Sequence, residues 1–293
     1  MLCAAYTGGR MEIVMLKRSE IRIRDPFILT DNENQCYYMY GTTDLKEGSF
    51  RTGHTFSVFK TYDLENFEEG VVVFDGSAID FWADRDYWAP EVHKYKGKYY
   101  MFASFKAEDR HRATHILISD TPDGPFRPVS KDPQTPPDWE CLDGTLWVED
   151  GKPYMIFCHE WIQTHNGRMC AIELSEDLTR SVGEPFLLFT AIENADAGEL
   201  EPNSGDYITD GPFLYAEDGR LKMLWSSTRA DKKYMVLLAE SDSIRGKWTQ
   251  SSGNMFDFCG GHAMLFYTLD GKRMISMHSP NPTGLERALF LPY

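Results

Sequence analysis

The chain has 293 residues, long enough to bury a full core. With 42% apolar and 26% charged residues it is too hydrophobic for a disordered polymer. Its 45 acidic against 30 basic side chains leave a net charge of −15, which argues against a nucleic-acid backbone or an anionic membrane as partner. No apolar run reaches the ~20 residues of a membrane span. The N-terminal stretch MLCAAYTGGRMEIVMLKR lacks a basic start followed by an apolar run, so a cytoplasmic location is expected. Six cysteines, at 3, 36, 141, 158, 170 and 259, form no C-x-x-C pair and read as free, buried thiols.

Five related segments follow one another along the chain. They are DPFILTDNENQCYYMYGTT from Asp25, APEVHKYKGKYYMFASF from Ala89, DGTLWVEDGKPYMIFCHE from Asp143, DGPFLYAEDGRLKMLWSS from Asp210 and GHAMLFYTLDGKRMISMHSP from Gly261. Each reads as strand, turn, strand. The turns carry Asp31-Asn32, Lys96-Gly97, Asp150-Gly151, Asp218-Gly219 and Asp270-Gly271, residues that tolerate positive φ. Most pairs are followed by a third apolar run, as in HTFSVFKTYDLENFE, ATHILISDTPDGPFRP, RMCAIELSEDLTR and KYMVLLAESDSIRGKW. The units recur about 50 to 70 residues apart, with no sustained 3.6-residue periodicity between them. The pattern predicts an all-β chain forming one domain over residues 1–293: a single five-bladed β-propeller, closed so that no sheet edge stays open. MEIVMLKR and the C-terminal ERALFLPY are expected to share the last blade and close the ring.

In a propeller the first strand of each blade lines the central channel, so residues opening those strands meet at one mouth. Asp25, Asp143 and Asp210 open three of them, each before Pro or Gly. Singly, such an Asp is a turn former; three at one phase of a repeat predict a shared site. Crowded carboxylates cannot all ionise, so one keeps its proton. A protonated acid beside an ionised one is the pair that glycosidic bond cleavage uses. The flanking aromatics Phe81, Trp82, Tyr87 and Trp88 offer flat faces to sugar C–H groups, and Trp88 and Phe81 are taken as substrate-binding. Trp225 is a further candidate, although its mid-strand position favours a core role. His262 holds the opening position of the fifth segment, as a ligand for a central cation or a hydrogen-bond partner of substrate or carboxylate. Arg287 could pair with the acids or bind a hydroxyl, and His54 could reach the same mouth. Loops at 44–53, 80–87, 160–167 and 191–206 would wall it.

In these segments the sequence resembles glycoside hydrolase family 43, from RIRDPFI through DYWAPEVHKYKGKYYMFAS, LDGTLWVEDGKPYMIF and TDGPFLY to GGHAMLF. The resemblance implies an inverting five-bladed propeller enzyme acting on a pentose-containing oligo- or polysaccharide such as arabinan or xylan. It implies Asp25 as general base, Asp143 as the acid that tunes the proton donor, and Asp210 as general acid. It implies no required cofactor and admits a structural calcium in the central channel near His262. One departure stands out. The family's general acid is a Glu before Gly-Pro or Ala-Pro, and here it is Asp210, shorter by one methylene; Glu201 is the alternative acid. The departure leaves room for a related propeller glycosidase or phosphorylase of other linkage specificity, or for a non-catalytic carbohydrate-binding propeller.

Overall fold

The computed structural model describes residues 14–43, 53–253, 255–256 and 258–293. Cys3 and residues 44–52 of the first expected mouth loop lie outside the described residues. Blade one comprises β1 (Met15–Lys17), β2 (Arg24–Asp31), β3 (Cys36–Thr42), β4 (Thr55–Thr61), β5 (Asn66–Glu68) and β6 (Val71–Asp75). Blade two holds β7 (Arg85–Tyr95), β8 (Lys98–Lys106), β9 (Ala113–Ser119) and β10 (Arg127–Pro128). Blade three holds β11 (Cys141–Glu149), β12 (Lys152–His159), β13 (Arg168–Leu174) and β14 (Ser181–Thr190). Blade four holds β15 (Asp210–Glu217), β16 (Arg220–Thr228), β17 (Tyr234–Ser241) and β18 (Thr249–Gln250). Blade five holds β19 (Gly261–Tyr267), β20 (Arg273–Ser279) and β21 (Arg287–Pro292).

Each first strand touches the next around the ring: β2 meets β7, β7 meets β11, β11 meets β15, β15 meets β19, and β19 returns to β2. This is the expected five-bladed propeller. No helix among the described residues is long and apolar enough to cross a membrane.

The second strands are sandwiched between neighbouring blades. That is why β3, CYYMYGT, is buried at every position, whereas the outer strand β4 alternates. Between blades one, two and five the core packs Phe27, Tyr40, Tyr87, Phe105 and Phe266. Between blades three and four it packs Met169, Phe189, Trp225 and Trp248. Cys36, Cys141, Cys158 and Cys170 are free, buried thiols, and Cys259 is free and half-buried.

Three of the five hairpins use the two-residue turn the sequence suggested. Both residues of Lys96-Gly97, Asp150-Gly151 and Asp218-Gly219 have positive φ. Asp31-Asn32 instead begins a longer loop, in which the Asp31 carboxylate accepts from the N–H groups of Glu33 and Asn34.

Ring closure differs in detail from the expectation. Of MEIVMLKR, Met15–Lys17 pairs with β5 at the outside of blade one, not with the last blade. The termini meet further on. Arg22 bridges Arg287, and the Ile23 N–H donates to the Glu286 carbonyl at 3.4 Å. Ile21 and Ile23 are buried in the core, so this stretch serves as an apolar latch and leaves blade five with three strands.

Candidate active site

The site is built by a bulge that recurs in all five first strands. Pairing of first with second strand breaks after Arg24, Trp88, Leu142, Asp210 and Gly261. The next residue in each blade takes positive φ: Asp25 at 54°, Ala89 at 47°, Asp143 at 55°, Gly211 at 49° and His262 at 55°. Left-handed backbone costs a non-glycine residue ~1–3 kcal/mol, so the four non-glycine positions must be held by their surroundings.

Cross-blade hydrogen bonds hold them. The bulge N–H donates to a side chain on the second strand of the preceding blade: Asp25 to His278 Nδ1 (3.2 Å), Ala89 to Thr42 Oγ1 (2.8 Å), Asp143 to Ser104 Oγ (2.8 Å) and His262 to Ser226 Oγ (2.8 Å). At the matching place before blade four stands Cys158, opposite Leu142. There the Gly211 N–H donates instead to Asp143 Oδ2 at 3.0 Å.

This register corrects one expectation. Asp25, Asp143 and His262 share a phase, but the residue in phase on blade four is Gly211. Asp210 stands one step earlier, at the position Trp88 occupies on blade two. Gly211 is required there: a Cβ would sit 2.7 Å from the His262 ring.

The three acids nevertheless converge. His262 Nδ1 lies 3.2 Å from Asp25 Oδ1 and 3.8 Å from Asp143 Oδ2. Thr42 Oγ1 donates to Asp25 Oδ2 at 3.0 Å, and the Tyr234 hydroxyl donates to Asp210 Oδ2 at 3.1 Å. Tyr234 stacks on His278, with 5.6 Å between ring centroids. His278 Nε2 lies 3.0 Å from Asn281 Oδ1, which also accepts from Arg24 at 2.9 Å. An oxygen accepting from Arg24 makes His278 Nε2 the donor. Nδ1 is then free to accept from the Asp25 N–H.

Their environments split the acids. Burial would raise Asp25, but the charges of His262 and Arg24 outweigh it and hold that carboxyl well below the usual range. Asp210 is pushed far above it, first by burial and then by the neighbouring charge of Asp143. Asp143 is also raised, first by burial, with Asp25 and Glu91 adding to it against the pull of His262. Burial opposes charge on His262, yet Asp25 and Asp143 raise it overall, favouring the imidazolium. Near neutral pH the mouth therefore holds an ionised Asp25 and a protonated Asp210.

The family model for glycosyl hydrolases family 43 matches residues 19–292. The chain belongs to that family. An endo-arabinase structure from Bacteroides thetaiotaomicron is 38% identical, with a TM-score of 0.87 over 97% of this chain and 98% of its own. A probable arabinan endo-1,5-alpha-L-arabinosidase C of Aspergillus clavatus is 30% identical over 76% of this chain and 70% of its own length. An extracellular exo-alpha-(1->5)-L-arabinofuranosidase of Streptomyces chartreusis is 26% identical over 56% of this chain, which spans about half, 51%, of that relative.

Other family-43 site candidates fare differently. Trp88 is half-buried at the mouth, with the Arg112 guanidinium 3.8 Å above its ring. His54 is exposed at the rim, where its Nε2 meets the Asp84 carbonyl. Three expectations need correction. Trp225 is fully buried between blades three and four, donating to Gln250 Oε1, so no sugar can reach it. Phe81 turns its ring into the aromatic core, 4.9 Å from Phe105 and 5.2 Å from Phe74. Arg287 fastens the ring closure, donating to the carbonyls of Ser19 and Glu286 at 2.7 Å. The arginine beside the acids is Arg24, two residues from the bridge that Arg22 makes with Arg287.

Glu201, the alternative acid, is exposed on the 191–206 loop. The extra acid whose charge reaches Asp210 is Glu160, buried directly after β12. Arg112 donates to Glu160 Oε2 at 3.2 Å and to Asp86 Oδ2 at 3.3 Å. Sequence reading missed Arg24, Thr42, Arg112, Glu160, Tyr234 and His278. A usable signal existed for two of them. Thr42, Ser104, Ser226 and His278 are polar residues closing otherwise apolar second strands at one register.

A calcium bound directly by protein ligands does not fit this channel. Among the described residues no three His, Cys, Asp or Glu side chains gather at ligand distances. The buried Nε2 of His262 has no partner, and a single imidazole nitrogen is a poor match for a cation that takes six to eight oxygens.

Proposed function

We propose that this chain hydrolyses glycosidic bonds of an arabinose- or xylose-containing oligo- or polysaccharide, inverting the anomeric centre. Asp25 is the base, Asp210 the acid and Asp143 the tuner of Asp210. The observation that carries this reading is the opposed surroundings of two carboxyls in one mouth. Asp25 is held ionised by His262 and Arg24, and Asp210 is held protonated by burial beside Asp143.

In the reaction, Asp25 removes a proton from water as its oxygen attacks the anomeric carbon. Asp210 delivers its proton to the departing glycosidic oxygen. Both proton transfers end with Asp25 neutral and Asp210 charged, and exchange with solvent resets them. The tethers suit these roles. The Thr42 hydroxyl and the His262 ring fix the base, while Tyr234 grips the shorter acid. Pentose specificity is supported by the names of the similar proteins, which act on arabinan or arabinofuranosides.

The test is the anomer first released from an arabino-oligosaccharide, read by proton NMR, together with Asp210→Asn. Inversion is expected. Asp210→Asn should lose about 10²- to 10⁴-fold on a natural linkage but little on an aryl glycoside whose leaving group needs no proton. Equal losses on both substrates would remove Asp210 from the acid role.

A further inference from the structure

A cleft of about 870 Å³ opens between blades two and three. It lies on the same face as the acids. β8 runs antiparallel to β7 and ends at Lys106, opposite Arg85, so loop 107–112 and the segment entering β11 at Cys141 both sit at the mouth end. The volume is in the range of small-molecule sites, about 300–1,000 Å³.

One wall is the indole of Trp82, held from two sides. Its N–H donates to His115 Nδ1 at 2.9 Å, and His115 Nε2 meets the Ser130 carbonyl at 3.1 Å. Burial pulls His115 down to about 4, so it is neutral and its Nδ1 is free to accept. Phe81 and Phe105 back the ring, with centroids at 5.8 and 6.4 Å. Trp82 is thus a fixed aromatic plate that remains partly exposed. The exposed guanidinium of Arg110 stands 5.8 Å from its centroid.

The floor is Glu140, held by Lys106 at 2.7 and 2.8 Å, by His111 at 2.8 Å and by the Arg112 N–H at 2.8 Å. Arg112 then links the cleft to the catalytic mouth, because its side chain covers Trp88. The acids around the rim, Asp109, Asp132 and Asp138 among them, oppose an anionic ligand. The lysine and arginine are already paired with carboxylates. A rigid aromatic face rimmed by both donors and acceptors fits a neutral polyol with a flat C–H side.

We propose that this cleft is a distal binding site for the same glycan chain, engaging sugars several residues away from the bond cleaved between Asp25 and Asp210. The proposal rests on the glycosidase reading. It assigns Trp82 to substrate length selection and not to chemistry.

The experiment compares arabino-oligosaccharides of two to eight residues and an aryl arabinoside, with Trp82→Ala, Trp82→Phe and Arg110→Trp. Trp82→Ala should raise KM for the longest substrates about tenfold, leaving kcat and all constants for the aryl glycoside unchanged. Trp82→Phe should keep most of the long-chain affinity. Arg110→Trp changes an exposed residue, so it spares the fold while filling the cleft, and should abolish the gain of affinity with length. Calorimetry of the longest oligosaccharide with each variant placed on Asp25→Asn reports binding apart from turnover. Long-chain affinity unaltered in Trp82→Ala and Arg110→Trp, or lowered equally for short and long substrates, would overturn the cleft assignment alone. Failure of the unaltered chain to cleave any of these substrates or the matching xylo-oligosaccharides and aryl xyloside would overturn the glycosidase reading instead.

Discussion

The seam between blades five and one and the inner edge of blade four each carry one of the aspartates proposed to act on the substrate, in opposite surroundings. Around Asp25 stand His262, His278, Arg24 and the Thr42 hydroxyl. Around Asp210 stand Asp143, Glu160 and the Tyr234 hydroxyl. The same side chain, equally enclosed, is driven to opposite protonation states by its neighbours. In the proposed mechanism the charge on the adjoining strand sets which aspartate serves as base and which as acid.

Removing the base should have the largest effect. Asp25→Asn is expected to cost about 10²- to 10⁴-fold in kcat on every substrate, aryl glycosides included, because water still needs a base when the leaving group does not need an acid. Retained aryl-glycoside turnover would erase the contrast with Asp210. The two pH limbs come next. Activity is lost as pH falls through the Asp25 pKa and as pH rises through the Asp210 pKa. His262→Gln removes the positive charge that holds Asp25 down, so the acid limb should move to higher pH. Asp143→Asn removes the negative charge that holds Asp210 up, so the alkaline limb should move to lower pH. Profiles of kcat/KM that shift in the same direction for both variants would contradict the split. The smallest change concerns the tether. Thr42→Val leaves the buried Ala89 N–H without its acceptor and Asp25 without one donor. It should lower stability by about 1–3 kcal/mol in urea unfolding, and move the acid limb slightly upward.

The repeat was legible along the chain because hairpin turns and strand alternation are local. Lys96-Gly97, Asp150-Gly151 and Asp218-Gly219 announce reversals by their own backbone preferences, and the runs between them have strand composition. The convergence of Asp25, Asp143 and His262 was legible for the same reason, since equal phase in a repeat means equal place in a ring. Asp210 reached the site by a different step of the bulge, which the Asp-Gly and Asp-Pro pairs concealed. Phe81 looked like a sugar platform, and Trp225 stayed a candidate beside its favoured core role, because an aromatic ring has the same letters whether it faces a neighbouring blade or the solvent. Trp82, adjacent to Phe81 in sequence, is the one turned towards the open cleft. Arg287 and Arg24 were exchanged in role because the closure latch brings both ends of the chain to one place, and no local pattern ranks them.

Order, turn chemistry and repeat phase were therefore written in the residues themselves: each depends on neighbours a few positions apart. Protonation of the acids, the second-strand hydroxyls that hold the bulges, and the face shown by each aromatic came only with the folded ring. These depend on Coulomb fields and packing between segments tens to hundreds of positions apart, whose distances no stretch of sequence contains.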